Sequence, residues 1–362
     1  MSRRRTTSRR TTSRRTTSRR TGPRTTSPRR TTALRRTALA VAAVALAVTA
    51  SACGTDARVP PAPDPGGAHI AVTPRQAVQI LASVDAALVR AVEARDPAQA
   101  GARATGPARD ALAASITVQA ALKQTPSVPP APGTPRLMLT LAGPWPRWFL
   151  AAGASPASPT PLLEVLRSAD ARSPYGLWGQ LRLLPGAVLP EVASATVGSP
   201  VLTADSGGGL AATPKDTLTR YADLLNRGDQ STWSAAFTPD AYRKELTEQL
   251  GRDRQAFQSQ GVGEVLAEHT VVPDVLFAMP TKDGGALVIG RVDQRYTATV
   301  TPGKGSVRLE PPLAALAGRT SFARTLERRS VEVLAFHVPR AGTADKISLV
   351  AAGKTDVAVT GS

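Results

Sequence analysis

The sequence predicts an α+β protein: two domains, each a set of helices followed by an antiparallel sheet. Three observations carry that reading. Both halves open on a helical apolar stripe behind the same Thr-Pro start, at Thr73-Pro74 and Thr213-Pro214. Strand-like apolar runs follow the helices in each half, and the Gly-rich run Asp205-Ser206-Gly207-Gly208-Gly209 separates the two. Residues 53–362 number 310, enough at roughly 150 residues per domain for two hydrophobic cores.

Thr73-Pro74-Arg75-Gln76 has the residues of a capped helix start: Thr at the cap, Pro at the first helical position and Gln three residues on. Ala77, Leu81, Val84, Leu88 and Val92 then share one helical face. The helical stretch runs over 74–123 with breaks at Pro97 and Pro107. Strands are expected in RLMLTLA, PRWFLAA, PLLEVLRS and YGLWGQLRLL, after the loop TPSVPPAPGTP.

In the second half Leu218, Tyr221, Ala222 and Leu225 form the stripe, and helices are expected at 214–227, 230–237 and 239–260. Strands follow near 270–279, 285–301, 329–339 and 345–359. Val288, Val292, Tyr296, Ala298 and Val300 alternate with Arg291, Asp293, Arg295, Thr297 and Thr299, the pattern of a strand with one wet face. The expected domains are therefore 73–205 and 213–362, joined by a linker at 206–212. A spacing of 133 residues matches Asp96, Ala102, Thr105 and Ala108 with Asp229, Ala235, Thr238 and Ala241, which points to an ancient duplication.

The net charge of +18 suggests a nucleic-acid binder until the charge is located. Residues 1–52 hold 14 Arg and no Lys, Asp or Glu, so the remainder carries only +4. The repeated TTSRR pentads have no apolar residue with which to build a core. Residues 38–50, ALAVAAVALAVTA, form an uncharged apolar run of 13 residues. A membrane-spanning helix needs about 20, so the run fits the apolar region of a signal peptide. Ala50, Ser51 and Ala52 follow, then Cys53, the sole cysteine of the chain. A single cysteine excludes an internal disulfide framework and a Cys-based zinc site.

Basic start, short apolar run and small residues ending in Cys53 resemble a bacterial lipoprotein signal. The resemblance implies cleavage between Ala52 and Cys53, acylation of the Cys53 thiol, and a mature protein held on the outer face of the cell membrane by its lipid. Two or more acyl chains give stable anchoring. Ala50 stands where that family usually has Leu. Arg35-Arg36 also hints at twin-arginine export, without the Phe usual there, and Leu34 is an alternative start. Residues 53–72 read as a Pro/Gly-rich spacer. Processing would discard the Arg-rich arm, leaving no nucleic acid as partner of the mature form; without processing, the arm becomes the leading clue.

The α+β plan is similar to the cone-shaped roll of the nuclear-transport-factor-2-like superfamily, in tandem. The phrases PRWFLAAG, DARSPYGLW and GGALVIG, in this order behind a lipoprotein signal, resemble uncharacterised actinobacterial lipoproteins with a C-terminal domain of unknown function. That resemblance spans most of 73–362 and implies a location and an architecture, but no activity.

No catalytic, metal or cofactor site is expected. The chain lacks a G-x-S-x-G elbow, a Ser three residues before a Lys, and H-E-x-x-H. Gly353-Lys354-Thr355 lacks the first glycine of a phosphate loop, since Ser348 stands there. His337 reads as structural. His269 follows Glu268, and strand neighbours face opposite sides, which makes them a poor acid–base pair. The aromatic cluster is more suggestive: Trp145, Tyr175 and Trp178, with Arg147 beside them, are the candidate ligand-binding residues. Tyr221, Trp233, Phe237 and Tyr242 read as core.

The expected function is a non-enzymatic, membrane-anchored binding module for a small ligand, a wall component or an envelope protein. The alternatives are a purely structural envelope protein, marked by an exposed apolar patch, and an enzyme on the same cone. A buried His or Asp with a convergent polar partner at the cone's mouth would favour the enzyme.

Overall fold

The computed structural model describes residues 68–155 and 158–362. Ala52, Cys53, the signal segment and most of the spacer lie outside the described residues. The first half runs α1 (Pro74–Glu93), a 3-10 turn (Pro97–Arg103), α2 (Gly106–Ala121), then β1 (Arg136–Leu139), β2 (Arg147–Ser155), β3 (Ser158–Ser168) and β4 (Gly176–Leu183). The second runs α3 (Pro214–Arg227), α4 (Ala241–Gln260), β5 (Gly263–Pro280) and β6 (Ala286–Val300). A small excursion follows, β7 (Val307–Arg308), α5 (Pro311–Ala317) and β8 (Ser321–Phe322), before β9 (Thr325–Val338) and β10 (Ser348–Gly361). The fold is α+β, as expected.

The helix starts form as their residues dictate. Thr73 Oγ1 accepts from Gln76 N while the Gln76 side chain accepts from Thr73 N, a reciprocal capping box. Thr213 Oγ1 caps α3 by accepting from Asp216 N at 3.0 Å. The helical stretch breaks near Pro97 and Pro107 as expected, and each proline opens the segment that follows, the 3-10 turn and α2. The helix expected at 230–237 is instead two 3-10 turns, Gly228–Gln230 and Ser234–Ala236. Gly228 breaks the chain there with φ 59° and ψ −135°, a conformation that only glycine adopts cheaply.

Both expected domains contribute to one eight-stranded sheet, ordered β1-β2-β3-β4-β10-β9-β6-β5. Each half supplies a four-strand antiparallel meander, and the last strand of each pairs with the other. That junction is short, with Ala351 opposite Leu183 and Ala352 opposite Arg182. It closes two edges that would otherwise expose unpaired backbone. The expected linker, 206–212, lies in the connection from β4 to α3.

Strand alternation sends side chains to two cores. On one face, Trp148, Leu150 and Trp178 of the first half meet Phe277, Leu287 and Val333 of the second. Phe277, from edge strand β5, lies 5.3 Å from Trp148 and 4.7 Å from Trp178, ring centre to ring centre. The sheet therefore curls until its distant strands touch. The opposite face is covered by α1 and α2 over Leu139, Phe149 and Leu166, and by α3 over Val288, Leu334 and Phe336.

The halves repeat each other in detail. Ala104 makes a parallel bridge to Leu177, and Phe237, 133 residues on, makes one to Ile347. Three residues before each capping threonine, Ile70 and Leu210 form isolated antiparallel bridges.

Candidate functional site

The second half carries a polar floor inside its otherwise apolar face. Strand register places His269 opposite Gln294, Gln294 opposite Ser330, and Ser330 opposite Asp356. Four polar side chains thus form one row across β5, β6, β9 and β10. Two residues along, on the same face, Glu332 lies opposite Lys354. Helix α3 brings Asn226 to one end of the row, and the start of α4 brings Tyr242 towards Glu332.

His269 is held on every side. Asn226 Oδ1 accepts from the His269 backbone N–H at 2.7 Å and lies 3.2 Å from Nδ1, while Asn226 Nδ2 donates to the His269 carbonyl at 2.9 Å. Gln294 Nε2 lies 3.0 Å from His269 Nε2. This network assigns the proton to Nδ1, with Nε2 accepting from the Gln294 amide. Burial lowers the imidazole pKa to about 4, with the Lys354 charge adding to it, so the ring is neutral at pH 7.

Glu332 is fully buried; its carboxyl oxygens make no well-formed hydrogen bond, but the Tyr242 hydroxyl and the Lys354 ammonium converge on it. His269 Nε2 is 3.7 Å away and Lys354 Nζ 3.8 Å. Burial raises its pKa to about 7, only partly offset by Lys354. The same burial lowers the pKa of Lys354. Buried polar groups normally find partners, and those that do not are costly. A buried carboxyl with a raised pKa beside a neutral imidazole and an ammonium is a pattern found at functional sites as well as in structural networks.

Above this floor lies a cavity of about 270 Å³, walled by α4 and lined by His269, Gln294, Tyr296, Arg328, Lys354 and Arg254. Tyr296 donates to Asp253 Oδ2 at 3.0 Å, and the Arg328 guanidinium sits 4.4 Å over the Tyr296 ring. Arginine and lysine outnumber carboxylates around this opening, which gives it a positive field.

The four aromatic and arginine candidates do not form one site. Trp145 and Arg147 line a separate cavity of about 540 Å³ at the β1–β2 end of the sheet. Tyr175 packs on Phe149 at 5.6 Å, in the core under α1. Trp178 is buried against Phe277 and does the work of a core residue. Alternation along β4 explains the split, because Leu177 and Trp178 face opposite sides of the sheet.

His337 lies 2.9 Å from Asp283, as suits a structural histidine. Tyr221 and Phe237 are core, packed edge-to-face with Phe336, whereas Trp233 is 38% exposed under the Arg220 guanidinium and is not a core residue. Glu268 faces away from His269, at 3.5 Å from Arg295, so the sequence rightly rejected that pair. The true neighbour, Glu332, is two strands away. Its signal was parity: Ser330 and Glu332 fall on the same side as Leu334, Phe336 and Val338, and Gln294 interrupts the buried stripe of β6. Among the described residues, no cluster of three or more His, Cys, Asp or Glu is arranged to hold a metal ion, and no helix is long and apolar enough to cross a membrane.

Fold and cavity thus define an α+β protein with a small polar-floored pocket between helix and sheet. The chain belongs to the family of the domain of unknown function DUF8094, whose family model matches residues 68–359. No curated protein and no solved structure matches it.

Proposed function

We propose that this is a lipid-anchored binding protein on the outer face of the cell membrane, which captures a small polar ligand in the cavity above His269, Gln294 and Lys354. Membership of the actinobacterial lipoproteins is part of the same proposal and rests on the signal-like residues that end in Cys53. The observation that carries the binding role is the cavity itself, whose lining brings Arg254, Arg328 and Lys354 together with the neutral His269 and Gln294, with Glu332 buried behind Lys354. The charge state of Glu332 answers to whatever approaches Lys354 and Gln294 above it.

Binding is favoured over acid–base catalysis by the occupancy of His269. A general base needs a nitrogen within reach of the substrate proton, and both ring nitrogens here are held by Asn226 and Gln294. The enzyme reading has one observation on its side, the buried His with a convergent carboxyl that an acid–base cone would carry.

Mass measurement of the protein extracted from its own membranes tests both parts. Under denaturing conditions the expected species begins at an acylated Cys53, and Cys53→Ala loses both lipid and membrane retention. Under native conditions a non-covalent small-molecule adduct is expected. A chain still beginning near Met1 and found in the cytoplasm overturns the anchor; a bare mass at every extraction condition overturns the capture role.

A further inference from the structure

The 540 Å³ cavity at the β1–β2 end is lined by Trp145, Arg147, Arg167, Val201, Leu276 and Phe277 among others, and none of its described lining side chains is acidic. Its size lies within the range of about 300–1,000 Å³ usual for small-molecule sites. Trp145 and Val201 are exposed large apolar residues, 37% and 49% accessible, on this one wall.

Two arginines face it with capacity unused. Arg147 donates Nε to the Gly143 carbonyl at 3.1 Å and stacks its guanidinium 4.5 Å over Trp145, which leaves its terminal nitrogens available. Arg167 lies opposite Trp148 across β2–β3, and its buried Nε has no hydrogen-bond partner. A guanidinium cannot shed its charge in a protein, so an enclosed donor nitrogen such as Arg167 Nε gains from an acceptor that reaches it. A guanidinium matches the forked oxygens of phosphate and carboxylate, both arginines line the cavity, and an apolar body can follow onto the Trp145–Leu276 wall.

We infer that this cavity binds an anionic amphiphile: its phosphate or carboxylate head on Arg147 and Arg167, its alkyl body against Trp145, Val201 and Leu276. Ala68 lies at the rim, fifteen residues after Cys53. At up to about 3.5 Å per residue, that length of chain keeps the cavity within about 50 Å of the anchoring point. The anchor supplies only proximity to amphiphiles; the site itself does not depend on it.

Octyl phosphate below its micelle concentration is the probe, titrated into the full chain carrying Cys53→Ser and followed by Trp145 fluorescence. Octyl glucoside and inorganic phosphate supply tail and head alone. The expected result is saturable quenching by octyl phosphate, at least tenfold weaker for either control compound. Arg147→Gln and Arg167→Met each weaken it at least tenfold with the melting temperature within a few degrees of the parent, and Trp145→Phe reduces the signal to what Trp148, which also lines the cavity, contributes. The Arg-rich N-terminus is the same in every variant, so its non-specific attraction cancels. Equal affinity for octyl glucoside, or unchanged affinity in Arg147→Gln, overturns the inference. Because Cys53 is absent from the assay, failure here is separate from failure of the anchor.

Discussion

The two halves share one plan, helices then a four-strand meander, and each buries a glutamate in its third strand. Glu164 in β3 and Glu332 in β9 are both raised by burial to a pKa of about 7. What surrounds them differs. Glu164 Oε1 accepts from Gln180 Nε2 at 2.9 Å, and the same amide donates to the Pro130 carbonyl at 2.8 Å, so the first half closes its carboxyl with a neutral partner. Glu332 instead sits beside an imidazole and an ammonium, and those two groups, His269 and Lys354, line the cavity. Equivalent strands can carry the same residue in a sealed structural role and in an open one. The difference lies in the cross-strand neighbour, Gln180 in one half and Lys354 in the other.

The largest expected effect tests whether the halves are one cooperative unit. Phe277 touches tryptophans of the first half from the edge strand of the second. Phe277→Ala should cost about 3–5 kcal/mol, with a single denaturant transition shifted for both halves. Two separated transitions would show that the meanders fold apart.

Next come the glutamates, through pH. An acid whose folded pKa is raised keeps its proton where the unfolded chain has lost it, so stability falls as pH climbs from 4.5 to about 7. A histidine lowered to about 4 acts oppositely: stability rises with pH between about 4 and 6.5. In the second half these slopes oppose each other, because folding moves one proton from His269 to Glu332. In the first half nothing offsets Glu164. Glu164→Gln should therefore raise stability at pH 8 by up to about 3 kcal/mol relative to the parent. Glu332→Gln should gain less, since it strips Lys354 of its counter-charge, and should reveal the histidine rise below pH 6.5. Urea titrations from pH 4 to 8 read both.

Smaller effects come from the caps. Thr73→Ala and Thr213→Ala should each cost about 1 kcal/mol, the former slightly more because the Thr73 hydroxyl also donates to Gln76 Oε1. Arg220→Ala, which uncovers the half-exposed Trp233, should cost under about 1 kcal/mol in thermal melts.

Much of the fold was legible because its determinants are local. Thr-Pro starts, the apolar stripes and the alternation from Arg291 to Val300 each reside in one short segment. The 3-10 turns after α3 were not, since Trp233 and Phe237 imitate a helical stripe that Gly228 interrupts. The excursion at α5 was hidden by Pro311-Pro312, which begin a helix as readily as they break one. The shared sheet was illegible for a different reason: nothing in the residues of β4 or β10 states that they pair. The polar floor suffered likewise. His269, Gln294, Ser330 and Asp356 are far apart in the chain, and only register brings them into a row. Parity was the one local signal for Gln294 and Glu332, polar positions on buried faces, and the sequence reading did not single them out.

The most direct test of the central claim compares Lys354→Met with Gln180→Met in the chain extracted from its own membranes, with native mass spectrometry reading the bound small molecule. Loss of the adduct in Lys354→Met and its retention in Gln180→Met is the predicted result. Retention in both, or loss in Gln180→Met alone, would contradict the assignment of the binding site to the second half.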